Sequence, residues 1–188
     1  MITHIDLGAM LRRTVCELYS DLVTRPTGAA VRTGIEQQLA ELAGRTLTVI
    51  DFSRVGLLDF SCADEIVAKL LVRCQGWGGD RPHDAYFLLA GIRDLHIEPI
   101  EAVLERRALA VVAQPAAGHP DLLGSADGAE RVVWAALDQL GRGTGPEIAL
   151  VAGMAPADAE PTLESLCDRR VIMRDAAEYI ALGAVARP

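Results

Sequence analysis

The chain predicts an α/β protein: a mixed, mainly parallel sheet with packed helices, followed by a small C-terminal unit of helices and a hairpin. Three observations carry this prediction. Short β-rich apolar runs at residues 46–52, 85–90 and 109–112 alternate with stretches whose apolar residues recur every three or four positions, and such alternation requires crossover connections. The run at 46–52 is apolar on both faces, as an interior strand demands. Beyond residue 126 the pattern becomes helix after helix, closed by a pair of short segments suited to a hairpin.

In order along the chain, Leu7, Met10, Leu11, Val15, Leu18, Tyr19 and Leu22 follow Asp6 at helical spacing and predict one amphipathic helix capped by that aspartate. Thr24-Arg-Pro-Thr-Gly28 is turn chemistry opening a second helix, with Ala30, Val31, Ile35, Leu39 and Leu42 as its buried stripe and an end near Gly44. After the strand at 46–52, a second apolar run reaches Leu58. Asp59-Phe-Ser61 then caps an apolar helix, with the Ser61 hydroxyl expected as the N-cap. Gln75-Gly-Trp-Gly-Gly-Asp-Arg-Pro82 breaks the chain before the buried strand at 85–90. A helix at 97–107 on Ile97, Ile100, Val103 and Leu104 and a short strand at 109–112 complete the alternation.

Small residues, prolines and glycine from Ala113 to Asp121 predict a linker, so that residues 1–113 form the α/β domain, 114–125 the linker and 126–188 a second domain. Helices at 130–140, 146–152 and 157–169 and a hairpin at 171–182 describe a winged helix-turn-helix.

Composition narrows the function. With 188 residues, 51% hydrophobic but only 4% aromatic, the cores must be built from Ala, Leu, Val and Ile. No apolar run approaches the length of a membrane span and no basic segment followed by an apolar one opens the chain, so a cytoplasmic protein is expected. A net charge of −8 repels nucleic acid and anionic membrane at long range. Cys16, Cys62, Cys74 and Cys167 stand singly, without histidine at ligand spacing, and are expected as buried small residues rather than metal ligands; no cofactor is expected. Nothing in sequence converges on Asp51 or Asp59, and His4, His83, His96 and His119 fall in or beside loops, which argues against catalysis.

Ser61 is the focus instead. A hydroxyl at a helix N-terminus has backbone donors and the positive dipole end to hold an attached phosphate, here beside Asp59, Asp64 and Glu65. Arg25 and Arg32, with Gly28 at a helix start, form a candidate anion site. Arg169, Arg170 and Arg174 are the candidate DNA contacts of the C-terminal unit. The helix before them carries Asp158, Glu160, Glu164 and Asp168, and from His119 onward six arginines face eleven acidic residues. That balance favours protein docking or dimerisation over DNA reading.

The segment Val49-Ile-Asp-Phe-Ser-Arg-Val-Gly-Leu-Leu-Asp-Phe-Ser-Cys-Ala-Asp-Glu-Ile resembles the STAS-like domains, relatives of bacterial anti-sigma-factor antagonists. Thr24-Arg-Pro-Thr-Gly-Ala-Ala-Val-Arg adds to the likeness, which covers residues 24–112. The antagonists carry Asp-Ser-Ser-Gly after the strand. The resemblance implies that Asp59 matches the aspartate and Ser61 the serine phosphorylated by an ATPase-fold kinase, while Phe60 replaces the first serine and Cys62 the glycine. It implies a non-catalytic bacterial regulator whose protein partner, an ATPase-fold serine kinase or anti-sigma-like factor, docks on Asp59, Phe60, Cys62, Asp64 and Glu65. The C-terminal unit is similar to winged-helix domains in element order and in Leu163-Glu-Ser-Leu-Cys-Asp-Arg-Arg-Val-Ile-Met-Arg-Asp, a route to an oligomer. Two alternatives stay open: a winged-helix DNA-binding regulator with a STAS-like sensor, and a small-anion receptor or enzyme using Asp51, Asp59 and the Arg25 turn.

Overall fold

The computed structural model describes residues 1–14, 20–42, 44–75 and 85–186. Asp6 does cap a helix, its Oδ1 accepting the Ala9 N–H at 2.9 Å, but it also ends a strand, β1 (Ile2–Asp6), that the sequence pattern hides. Helix α1 (Leu7–Thr14) follows; the expected continuation over Val15, Leu18 and Tyr19 lies outside the described residues, as does most of the break at 75–82. Leu22 is fully buried in an isolated parallel bridge with Leu58.

Helix α2 (Arg25–Ala40) starts on the cap Thr24 and buries Val31, Ile35 and Leu39 as its spacing requires. Strand β2 (Thr46–Asp51) leads to α3 (Phe60–Ala63), a π-helical turn (Asp64–Ala68) and α4 (Lys69–Gln75). Then come β3 (Ala85–Ile92), α5 (Asp94–Glu105), β4 (Ala110–Pro115) and β5 (Asp121–Gly124). The sheet runs β1-β2-β3-β4-β5, parallel through the first four strands and antiparallel at β5.

This order has a consequence for the faces. Right-handed crossovers between strands laid down in sequence place every connecting helix on one side. On that side Ile5, Ile50, Phe87, Leu89 and Val111 of the strands pack with Met10, Ile35, Ile66 and Ile100 of the helices. The alternate residues Leu47, Val49, Tyr86, Leu88 and Val112 point to the other face, which would be bare apolar surface without a cover.

The C-terminal elements supply it. They are α6 (Gly128–Leu140), β6 (Arg142–Thr144), α7 (Gly145–Ala152), α8 (Pro156–Asp168), β7 (Ile172–Asp175), β8 (Glu178–Ala181) and α9 (Leu182–Ala186), with a three-stranded antiparallel sheet ordered β6-β8-β7. Val133, Trp134, Leu137 and Leu182 share one buried cluster with the second face of the large sheet. The segment expected as a linker holds the end of β4 and the edge strand β5, whose Leu122 and Gly124 carbonyls accept from the Arg131 guanidinium at 2.6 and 2.7 Å. Blocking an edge in this way protects it from stray pairing. Among the described residues no helix is long and apolar enough to cross a membrane.

Candidate functional site

The loop between β2 and α3 is pinned before it reaches Ser61. Leu22 N–H donates to Leu57 O and Asp59 N–H to Leu22 O, both at 2.8 Å. Arg93 donates to the carbonyls of Val55 and Gly56, and His96 Nε2 lies 3.0 Å from Gly56 O. Asp51, at the end of β2, is occupied locally, its Oδ1 accepting Ser53 N–H at 2.8 Å.

The N-cap is Asp59 and not Ser61. Asp59 is extended and its Oδ1 accepts the Cys62 N–H at 2.7 Å, while Ser61 sits in the first turn and its Oγ donates to Asp59 Oδ1 and Oδ2 at 2.8 and 3.1 Å. Serine and aspartate cap about equally well, so the frame set by buried Leu58 and Cys62 decides which of them does. Burial pushes the Asp59 carboxyl up, but the Cys62 and Ser61 hydrogen bonds outweigh it and hold the group below its ordinary value. Ser61 is half-buried and Phe60 is 50% exposed, so the rim of the site is Phe60, Ser61 and the 57%-exposed Leu57.

Cys62 corrects its expected role as a partner contact. It is completely buried, donating to Thr24 O at 3.0 Å, and burial first, then Asp59, push its thiol up to about 12. Gly28 is not an anion donor either: its N–H bonds Thr24 O within the helix turn, and a Cβ there would sit 2.9 Å from Cys62 Cα and 3.1 Å from Glu65 Cβ.

Arg25 and Arg32 do bind anions, but the anions are the chain's own. Glu65, whose side chain is 3% exposed, takes Arg25 Nη1 at 2.8 Å, Arg32 Nε at 3.2 Å and the Lys69 ammonium. Asp64 takes Arg25 Nη1 at 3.0 Å and Arg107 Nη2 at 2.7 Å, and Glu36 takes Arg32 at 2.7 Å and Arg73 at 2.8 Å. Burial raises both Asp64 and Glu65; the guanidinium and ammonium partners outweigh it and hold both carboxyls below the usual range. Glu65 therefore cannot face a partner, and Asp64 enters any contact already neutralised.

Lys69, Arg73, Arg107 and Glu36 complete this network without having been singled out from sequence. The i, i+4 pairs Glu65/Lys69 and Arg32/Glu36 were the available signal. The network coincides with the π-helical turn, in which Lys69 N–H reaches back to Asp64 O; π turns are rare and concentrate at functional sites.

The candidate DNA-contacting arginines are committed elsewhere. Arg169 pairs with Glu130 at 2.6 Å and donates to Ser125 O; Arg170 donates to Ala85 O at 3.4 Å and lies over the Tyr86 ring at 5.4 Å. Both fasten the C-terminal unit to the sheet region. Arg174 stacks over Tyr179 at 5.4 Å within the small sheet. Among the described residues no group of three or more His, Cys, Asp or Glu side chains could hold a metal ion. Compared with known proteins, the chain matches no family model, no curated protein and no solved structure.

Proposed function

We propose that the chain is a non-catalytic bacterial regulatory protein that acts in the cytoplasm through protein–protein contacts, with a STAS-like α/β part and a winged-helix-like C-terminal part. Its partner is an ATPase-fold serine kinase or an anti-sigma-like factor, and phosphorylation of Ser61 is the switch. The observation that carries this reading is the pairing of a half-buried Ser61 hydroxyl with the cap Asp59, beside exposed Phe60 and Leu57. That hydroxyl donates its only proton to Asp59. A phosphoryl group on Ser61 would remove the donor and set up to about two negative charges next to the carboxylate that caps the helix, so modification would reshape the rim where a partner docks.

The three arginines first set aside for DNA serve internal contacts, which favours protein docking over DNA reading for the C-terminal part. Labelling the full chain with an ATPase-fold kinase from the same cell and radioactive ATP tests the proposal. Wild type should be labelled and Ser61→Ala should not; equal labelling of both would remove Ser61 as the switch.

A further inference from the structure

Leu57 (57%) in the loop before α3, Phe60 (50%) at the start of α3 and Leu95 (45%) in the first turn of α5 are exposed large apolar side chains along the rim where α3 packs against α5. The first turn of α5 meets the loop before α3 where His96 Nε2 lies 3.0 Å from Gly56 O, the residue preceding Leu57. From this rim runs the outer face of α5, an open surface bearing Asp94, Ile97, Glu98, Glu101, Ala102 and Glu105. The four carboxylates follow i, i+4, i+7, i+11 spacing and form one stripe on the solvent face.

That stripe is internally unfavourable. Asp94–Glu98, Glu98–Glu101 and Glu101–Glu105 are like-charge neighbours on a helix, and Glu105 in the last turn opposes the helix dipole. None of the four makes an ion pair among the described residues, whereas Glu36, Asp64 and Glu65 on the adjacent helices each meet at least two cations. An apolar rim continued by an uncompensated acidic helix face calls for an occupant that is apolar at one end and cationic along its length.

We infer that this surface receives a basic amphipathic helix of the partner protein, its apolar residues on Leu57, Phe60 and Leu95 and its lysines or arginines along Asp94, Glu98, Glu101 and Glu105. The stripe spans eleven residue steps, about 16 Å of helix, so a partner helix of three turns lying alongside matches four cations to four carboxylates. The inference deepens the proposed docking role and names the partner's chemistry.

The probe is a synthetic helical peptide with lysines at i, i+4, i+7, i+11 and leucines at one end, titrated into the full chain by fluorescence anisotropy. It should bind at low salt and weaken as salt is added. The triple variant Glu98→Gln/Glu101→Gln/Glu105→Gln should bind at least about tenfold more weakly while melting no lower than wild type. Phe60→Ser should weaken binding too, and neutralising Asp158, Glu164 and Asp168 on α8 should leave it unchanged. No binding at low salt, equal affinity for the α5 triple variant, or equal loss from the α8 variant would overturn the inference. So would displacement of the peptide by stoichiometric calcium, which would make the stripe a cation site. Ser61→Asp separates the two proposals: unchanged peptide binding in that variant sinks the switch and leaves the surface, whereas loss in Ser61→Asp without loss in the α5 triple variant sinks the surface and leaves the switch.

Discussion

Replacing Glu65 with glutamine keeps the shape of the side chain and removes the buried charge that takes Arg25 and Arg32 of α2 together with Lys69. The Glu65 side chain is 3% exposed, but Arg32 is 23% and Lys69 37% exposed, so water recovers part of what each loses when its partner is neutralised. A hydrogen bond to a charged group contributes about 1.5–3 kcal/mol when dry; with these cations partly rehydrated each is worth about 1 kcal/mol, and the two sum to about 2 kcal/mol. Arg25 is more than half exposed and is assigned no share. For a chain of this size a loss of about 2 kcal/mol lowers the melting temperature by about 4–8 °C.

The pH dependence has a definite sign. Burial raises the Glu65 carboxyl, but Lys69, Arg25 and Arg32 outweigh it and hold it below its ordinary value. Its stabilisation is therefore complete above the unfolded carboxyl range near about pH 4.3 and is lost as pH falls through the lower, folded value. Urea unfolding of wild type and Glu65→Gln, followed by circular dichroism, should show the full gap at neutral pH and a shrinking gap as pH drops below about 4. Equal midpoints at neutral pH, or a gap that does not change with pH, would refute the view that the network fastens these helices through charge.

Two further predictions concern neighbouring residues. Asp59→Ala removes the acceptor of Cys62 N–H and of Ser61 Oγ and should cost about 1–2 kcal/mol in urea unfolding, whereas Asp59→Asn, which still caps, should stay within about 0.5 kcal/mol of wild type. Cys62, its thiol pushed up to about 12 and its sulfur closed off by Thr24, should resist iodoacetamide under native conditions and react once urea unfolds the chain; mass spectrometry of the peptide containing it reads both states, and equally fast native labelling would contradict its burial.

Most of the sheet was legible because β2 and β3 are interior strands with long apolar runs on both faces. The edges were not. Strand β1 buries only Ile5 fully, and its Ile-Thr-His-Ile-Asp pattern merges with the periodic leucine that starts α1. Strand β5 is four residues long and follows a Pro- and Gly-rich turn, so composition alone favours a linker; its stability comes from antiparallel pairing with β4 and from Arg131 on its carbonyls, which composition does not signal. At the site, the sequence brought Asp59, Ser61, Asp64 and Glu65 to one helix start, and that placement holds. What it could not supply was direction. Local propensity ranks aspartate and serine alike as caps, and although i, i+4 spacing pairs Glu65 with Lys69, nothing local says that Glu65 turns inward to Arg32. Those outcomes depend on α2 crossing the helix at Gly28, a contact between residues more than thirty positions apart.

The division within residues 59–65 bears directly on what the segment can do. Cys62 and Glu65 are spent on holding α2, Asp59 on the cap, and Asp64 on Arg25 and Arg107. Phe60 and Ser61 carry no such structural duty, apart from the hydroxyl's bond to the cap. A segment whose inward residues are this heavily tied presents its outward ones at a fixed position, since neither the helix start nor the preceding loop can shift without breaking contacts to α2 or to Arg93 and His96. Under the proposed docking role, rigid presentation of Phe60 beside the Ser61 hydroxyl would favour recognition by a partner, because little ordering entropy remains to be lost on binding.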